Sequence, residues 1–400
     1  MGALGISFLV ATALILLFRR IGQPAIVACI VGGLLLQTVA TSMPPFHMDT
    51  LHDLQLLGIV LLLVLAGMQV EVDRALQNWR MFLVAFGQVS LGALLGGLFG
   101  LLASSQGWIT TDGHSGLAVF ALCLALSSTA IVVENLQAKG ATSTPYGQAI
   151  LILMLFQDIV AVLALSLIGL PGEGGLEKTK TAPLDLGLQF FVFAGVAILL
   201  GRTVMIRIIE RVRYDAGLLL IFVLGWAGGL AGLAIQTGFS PTVAGFLAGV
   251  ALSFTPHRAS IELRIEPLKV FGITIYFIFM GTTLPLGELD SGLILPIAMA
   301  TFLIVAVRPL TSLWLAQLGG MSSRESSHFG LAIGQGSEFA MILSAGAYHA
   351  KILDESGFLV IVMASVISMV ISSWVQLFFR KRGGTSTGEV TSVDEVASVT

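Results

Sequence analysis

Charge is what this chain has least of. Asp, Glu, Lys and Arg make up 11% of its 400 residues, while 56% are hydrophobic. A soluble globular chain carries about 25% charged residues, so a soluble fold is excluded. A net charge of −3 with no basic cluster also excludes a nucleic-acid partner. Cysteine is equally scarce. Cys29 and Cys123 both fall in apolar runs and read as small core residues that say nothing of redox compartment. The first residues lack the positive start of a signal peptide, and no small-residue cleavage site follows the first apolar run, so that run reads as a membrane span. With a mean hydropathy of +0.95, the chain reads as an all-α polytopic membrane protein whose first partner is the lipid bilayer.

Apolar windows divide it into thirteen expected spans: 2–18, 23–42, 54–70, 81–104, 115–136, 146–170, 185–204, 216–236, 240–255, 268–286, 292–318, 326–348 and 356–379. With the N-terminus outside, sixteen Lys and Arg residues fall on the cytoplasmic side and three, Lys178, Lys180 and Lys351, outside. The twentieth base, Arg308, lies inside a span, well away from either end. A missed or invented span would scramble this segregation for every later loop, so the positive-inside rule supports the count and a cytoplasmic C-terminus. Residues 1–382 form the membrane domain; 383–400, rich in Gly, Ser and Thr, read as a disordered polar tail.

The sixth span carries one charge, Asp158, near its middle and beside Gln157. A carboxylate at the bilayer midplane costs about 3 kcal/mol on insertion scales, so it marks an ion or proton path by default. The plainer alternative is a structural acid hydrogen-bonded to a neighbouring helix. Three more polar groups sit at similar depth: Ser127, Ser128 and Thr129 in span 5, Arg308-Pro309 in span 11, and Gly334, Gln335, Gly336, Ser337 and Glu338 in span 12. Small residues and Pro309 permit a locally unwound backbone, whose free carbonyls and amides can face an ion. Taken singly, the hydroxyls can bond to the preceding turn, the glycines can serve close packing, and Arg308 can neutralise Asp158 or Glu338. Gly334-Gln335-Gly336 also opens like a dinucleotide fingerprint, but it fails at Phe339 and follows no strand.

Spans 1–6 and 8–13 form two halves joined by span 7, and an offset of seven spans inverts one half relative to the other. Two echoes agree. Leu65-Ala66-Gly67-Met68 matches Phe279-Met280-Gly281-Thr282 at an offset of 214, and Val31-Gly32-Gly33-Leu34 matches Ala248-Gly249-Val250-Ala251 at 217. Spans 5 and 12, which carry the polar breaks, occupy equivalent places. Inverted repeats with midplane breaks are a signature of secondary transporters.

The runs Ala125-Leu126-Ser127-Ser128-Thr129-Ala130-Ile131, Phe156-Gln157-Asp158-Ile159, Gly245-Phe246-Leu247-Ala248-Gly249-Val250 and Gly334-Gln335-Gly336-Ser337-Glu338-Phe339-Ala340 resemble Kef-type members of the monovalent cation:proton antiporter-2 family. The resemblance covers spans 1–13. It implies a sodium/proton antiporter-like fold with crossed discontinuous helices, spans 4–6 and 11–13 forming a moving core and the rest a scaffold. It implies a homodimer in a bacterial inner membrane. It makes Asp158 the carboxylate that alternately holds a proton and a monovalent cation, K+ favoured and Na+ the alternative, with no cofactor. Gln157 stands where electrogenic relatives carry a second acid, and Arg308 where the family has a basic residue. One departure is plain: no nucleotide-binding regulatory domain follows the last span, so regulation is absent, supplied by a separate subunit, or lost by truncation.

One acid cannot hold a proton and a cation at once, so the two compete, and with Gln157 uncharged the simplest stoichiometry is one for one. The competing reading is a gated cation channel with the same polar layer as its filter. An intramembrane aspartyl protease needs two catalytic acids, and Phe156-Gln157-Asp158 does not supply them.

Overall fold

A computed structural model describes residues 2–39, 59–68, 79–142, 144–168, 192, 195–196, 198–236 and 241–383. They are almost wholly helical: α1 (Gly2–Arg20), α2 (Ala25–Val39), α3 (Ile59–Met68), α4 (Trp79–Ser105), α5 (Gly113–Ala125), α6 (Thr129–Ala138), α7 (Pro145–Ile168), α8 (Ile206–Val212), α9 (Ala216–Gln236), α10 (Pro241–Ser253), α11 (Arg258–Thr283), α12 (Ser291–Phe302), α13 (Arg308–Leu318), α14 (Ser323–Ala332), α15 (Glu338–His349) and α16 (Glu355–Gly383). A single antiparallel bridge, Thr111 to Leu353, is the one piece of extended pairing among the described residues. In hydrocarbon no water can satisfy a backbone amide or carbonyl, so apolar windows of this length must bond internally as helices.

Six helical stretches among the described residues are long and apolar enough to cross a membrane, and three shorter ones are apolar. Parts of the expected spans 2, 3 and 7, the loops with Arg74, Lys178 and Lys180, and nearly all of the polar tail lie outside the described residues. The expected spans 5 and 12 are each two helices, α5–α6 and α14–α15, separated by non-helical residues. Span 11 departs from expectation. Pro309 does not break it; a π turn over Leu303–Val307 carries the helix into Arg308. A π turn absorbs one extra residue per turn, so the amide missing at Pro309 is accommodated without unwinding.

The inverted repeat is written in glycine contacts. A Cβ on Gly33 of α2 would fall on the Ile278 carbonyl and lie 2.8 Å from the Gly281 Cα of α11; a Cβ on Gly281 would lie 2.9 Å from the Gly33 Cα. A Cβ on Gly67 of α3 would fall on the Phe246 carbonyl and lie 2.9 Å from the Val250 amide of α10, and one on Gly249 would meet the Val64 carbonyl. Gly33 against Gly281 and Gly249 against Gly67 are, to within one residue, the same contact with the repeats exchanged. That exchange is what a pseudo-two-fold axis does. Small residues at the contact are what let backbones approach this closely.

The glycine crossings give a test. Gly67→Ala forces a methyl into the α10 backbone and should destabilise by about 1–3 kcal/mol, seen as a lower melting temperature in detergent. Gly228→Ala on α9, where a Cβ meets nothing within 4 Å, should melt at or slightly above the parent temperature. Equal melting of the two variants would show that the α3–α10 approach is looser than described.

Candidate functional site

The two breaks face each other. α5 stops at Ala125, Leu126 turns extended, and α6 restarts at Thr129 with Ser128 as its N-cap, whose Oγ accepts from the Ile131 amide at 3.4 Å. α14 stops at Ala332 and α15 restarts at Glu338, with Ser337 as its N-cap accepting from the Phe339 amide at 3.1 Å. A serine before each second half-helix satisfies one amide that the break leaves bare. The breaks cross: Ser127 Oγ donates to the Ile333 carbonyl at 3.3 Å, and Cys123 Sγ to the Ala340 carbonyl at 3.4 Å.

Crossing brings two negative helix ends together, and Arg308 sits between them, 2% exposed. Its guanidinium makes four hydrogen bonds: Nη1 to the carbonyls of Leu124 at 3.0 Å and Leu126 at 2.6 Å, and Nη2 to those of Ile333 at 2.8 Å and Gln335. This corrects two expectations. Carbonyls at the breaks that the sequence suggested for an ion bind Arg308, and neither Asp158 nor Glu338 is among the partners of Arg308. The reason is geometric. A planar fork matches two pairs of converging carbonyls, and an unpaired carbonyl in hydrocarbon would be costly. At the opposite, positive ends stands Glu338. It opens α15 and its Oε1 accepts from the Ala130 amide in the first turn of α6 at 3.4 Å, the favourable sign for a helix N-terminus.

Asp158 on α7 is 5% exposed, and its Oδ1 accepts from the Thr129 hydroxyl at 3.0 Å. Thr129, Ala130 and Glu338 therefore gather beside it at the start of α6. Gln157, beside the acid, ties α7 to the first break and to α4. Its Oε1 accepts from the Ser127 amide at 2.8 Å; its Nε2 donates to Gln88 Oε1 at 2.8 Å and to the Ala125 carbonyl at 3.5 Å. Of the three hydroxyls Ser127, Ser128 and Thr129, it is Thr129 that reaches the carboxylate.

The second break is anchored by α16. Ser368 Oγ accepts from the Gly336 amide at 2.8 Å, and Ser372 Oγ donates to Gln335 Oε1 at 2.8 Å. Gln335 Nε2 turns back to the Ala332 carbonyl at 2.9 Å. Gly336 lies so close to α16 that a Cβ would come 2.6 Å from the Ser365 Cα, and one on Gly334 would press on Pro309. Neither glycine has a positive φ. Their smallness serves close approach rather than an unusual backbone conformation. Sequence reasoning missed Gln88, Ser368 and Ser372. Each is a polar residue inside an apolar span, the signal that singled out Gln157, but each lacks a neighbouring charge.

Arg308 is predicted to act through its hydrogen bonds. Arg308→Lys keeps a charge but loses the fork and should retain part of the parent melting temperature. Arg308→Gln leaves most of the four carbonyls bare and should destabilise by about 3–5 kcal/mol, the range for removing one side of a buried charged interaction. Melting in detergent reads both; an unchanged Arg308→Gln would show that the carbonyls do not depend on it.

Comparison with known proteins agrees with this architecture. Residues 6–381 match the family model described as sodium/hydrogen exchanger, transmembrane. The chain is 29% identical over 386 residues to the glutathione-regulated potassium-efflux system protein KefC of Salmonella typhi, and likewise to that of Salmonella typhimurium; the match covers 93% of this chain. It spans 58% of the length of those relatives. The fold is similar to the sodium proton antiporter MjNhaP1 from Methanocaldococcus jannaschii, with a TM-score of 0.70 and 17% identity over 96% of this chain and 98% of that one. With its inverted repeat, its crossed broken helices and a family match over nearly its whole length, the chain belongs to the transmembrane sodium/hydrogen exchanger family, where its resemblance is to Kef-type cation:proton antiporters.

Proposed function

We propose that this chain exchanges a monovalent cation for protons by alternating access, one for one, with K+ favoured over Na+. The observation that carries the reading is the bonding of Asp158. Its carboxylate is buried at the crossing point, yet among the described residues its one hydrogen bond comes from the Thr129 hydroxyl. Arg308 is engaged by carbonyls, and among the described residues no basic side chain forms an ion pair with Asp158. A buried carboxylate must be neutralised by something, and a proton or an alkali cation is what remains.

The Thr129 hydroxyl can turn a lone pair to a cation held by Asp158 and donate to the carboxylate when the cation has left. Gln157, Ser127 and Ser128 hold the backbone around that pocket, and Gly334 to Glu338 shape the facing break. An uncharged Gln157 supports electroneutral exchange. Likeness to potassium-efflux relatives supports K+ as cargo. Spans 4–6 and 11–13 move as a core against the remaining scaffold in a homodimer, with the N-terminus outside and the C-terminus cytoplasmic. The segregation of basic residues supports that orientation in a bacterial inner membrane.

The experiment is proton movement in proteoliposomes, followed by a pH-sensitive dye during pulses of each alkali cation. The parent should move protons in response to K+, saturably and without net current. Asp158→Asn should abolish exchange while melting near the parent temperature, since it keeps volume but cannot cycle a proton. Asp158→Glu should retain part of the rate with an altered pH profile. Exchange by a folded Asp158→Asn protein would remove Asp158 from the mechanism, and cation current without proton coupling would replace exchange with the channel reading.

A further inference from the structure

The polar layer extends one residue beyond the pieces assigned above. Gln88 lies on α4, a helix that contributes no charge to the site. It is 1% exposed, in the run Phe86-Gly87-Gln88-Val89, and its Oε1 accepts from Gln157 Nε2 at 2.8 Å.

The orientations in this chain of bonds are forced. The Ser127 amide can only donate, so Gln157 must present its oxygen there. The Gln157 NH2 then faces Gln88 and the Ala125 carbonyl, so Gln88 must present its oxygen in turn. An exchange of N and O at either amide would set donor against donor. The direction starts at a backbone amide of the broken helix and ends at Gln88.

We propose that Gln88 is a positioning residue for the cation site, acting through Gln157. Gln157 ties three segments together: α7 by its own backbone, the break by the Ser127 amide, and α4 by Gln88. Asp158 is the next residue on α7 and Thr129 lies two residues past Ser127, so the tie sets where the carboxylate and hydroxyl meet. Without the Gln88 oxygen, the Gln157 NH2 keeps only its long 3.5 Å bond to the Ala125 carbonyl, and the amide is held less firmly against Ser127. Gln88 also reads position 157 as a donor. A carboxylate there has no proton to offer the Gln88 oxygen, so Gln88 favours the uncharged side chain on which one-for-one exchange depends.

This inference rests on the exchange reading, and its test separates the two. Gln88→Met, Gln88→Glu and Gln157→Met are measured in proteoliposomes beside the parent, as KM for K+ and maximal rate. Gln88→Met fills the space without a good acceptor. It should raise KM about tenfold, the low end for losing a residue that orients a ligand, with maximal rate within about twofold. Gln88→Glu keeps an acceptor oxygen at the same reach and should return KM towards the parent value. Adding Gln88→Met to Gln157→Met should change KM no further, because the partner is already gone. Should Gln88→Met fail to fold, Gln88→Asn, which draws the amide back by one methylene, replaces it with the same expected direction. A parent that exchanges normally, with a Gln88→Met variant of unchanged KM or a double variant whose effects simply add, would overturn the positioning role. A parent that exchanges nothing would instead overturn the exchange reading.

Discussion

The structure turns on one guanidinium holding the ends of two half-helices. Breaking a helix inside a membrane leaves carbonyls at one end and amides at the other with no water to receive them. Here the breaks are crossed so that the bare carbonyls of α5 and α14 converge, and Arg308 answers them with a single side chain. Its Nη donors are taken by carbonyls, and neither Asp158 nor Glu338 is among its hydrogen-bond partners. The amide ends are treated separately, by Ser128, Ser337 and Glu338. Asp158 lies beside these amide ends, and it accepts its hydrogen bond from the Thr129 hydroxyl rather than from Arg308.

The repeat also explains why one site carries the acid. At the first break the Ser127 amide is received by Gln157 of α7; at the second the Gly336 amide is received by Ser368 of α16. These are equivalent anchors on equivalent helices. The residue after the first anchor is Asp158, and the residue after the second is Met369, fully buried. The scaffold function of the anchor is kept in both halves while the carboxylate is present in one. A second buried acid at the mirror position would need its own neutralising partner, and none of the serines of α16 can supply a charge.

Much of this was legible in the residues. Apolar windows of span length, a midplane acid, serines and glycines at one depth, and echoes offset by 214 and 217 residues led to broken, inverted helices. What misled was partner choice. Arg308 invited pairing with Asp158 or Glu338, because opposite charges at one depth suggest a salt bridge. Pro309 invited a break, whereas a π turn took up the strain. In each case residue type was informative, but the partner was chosen by the geometry of the backbone around it.

By itself the sequence determined that the chain is a membrane protein, that its helices break at two equivalent places, and that Asp158 is the acid at mid-depth. These follow from composition and spacing, which act along the chain. Only the tertiary structure decided that Arg308 faces carbonyls, that Thr129 and not Ser127 or Ser128 touches Asp158, and that Gln88, 69 residues from Gln157, completes the polar layer. The physical reason is that a buried hydrogen bond needs a donor and an acceptor within about 3 Å along a common line. Which groups of distant helices satisfy that is set by how closely glycine lets those helices approach and by how they are turned.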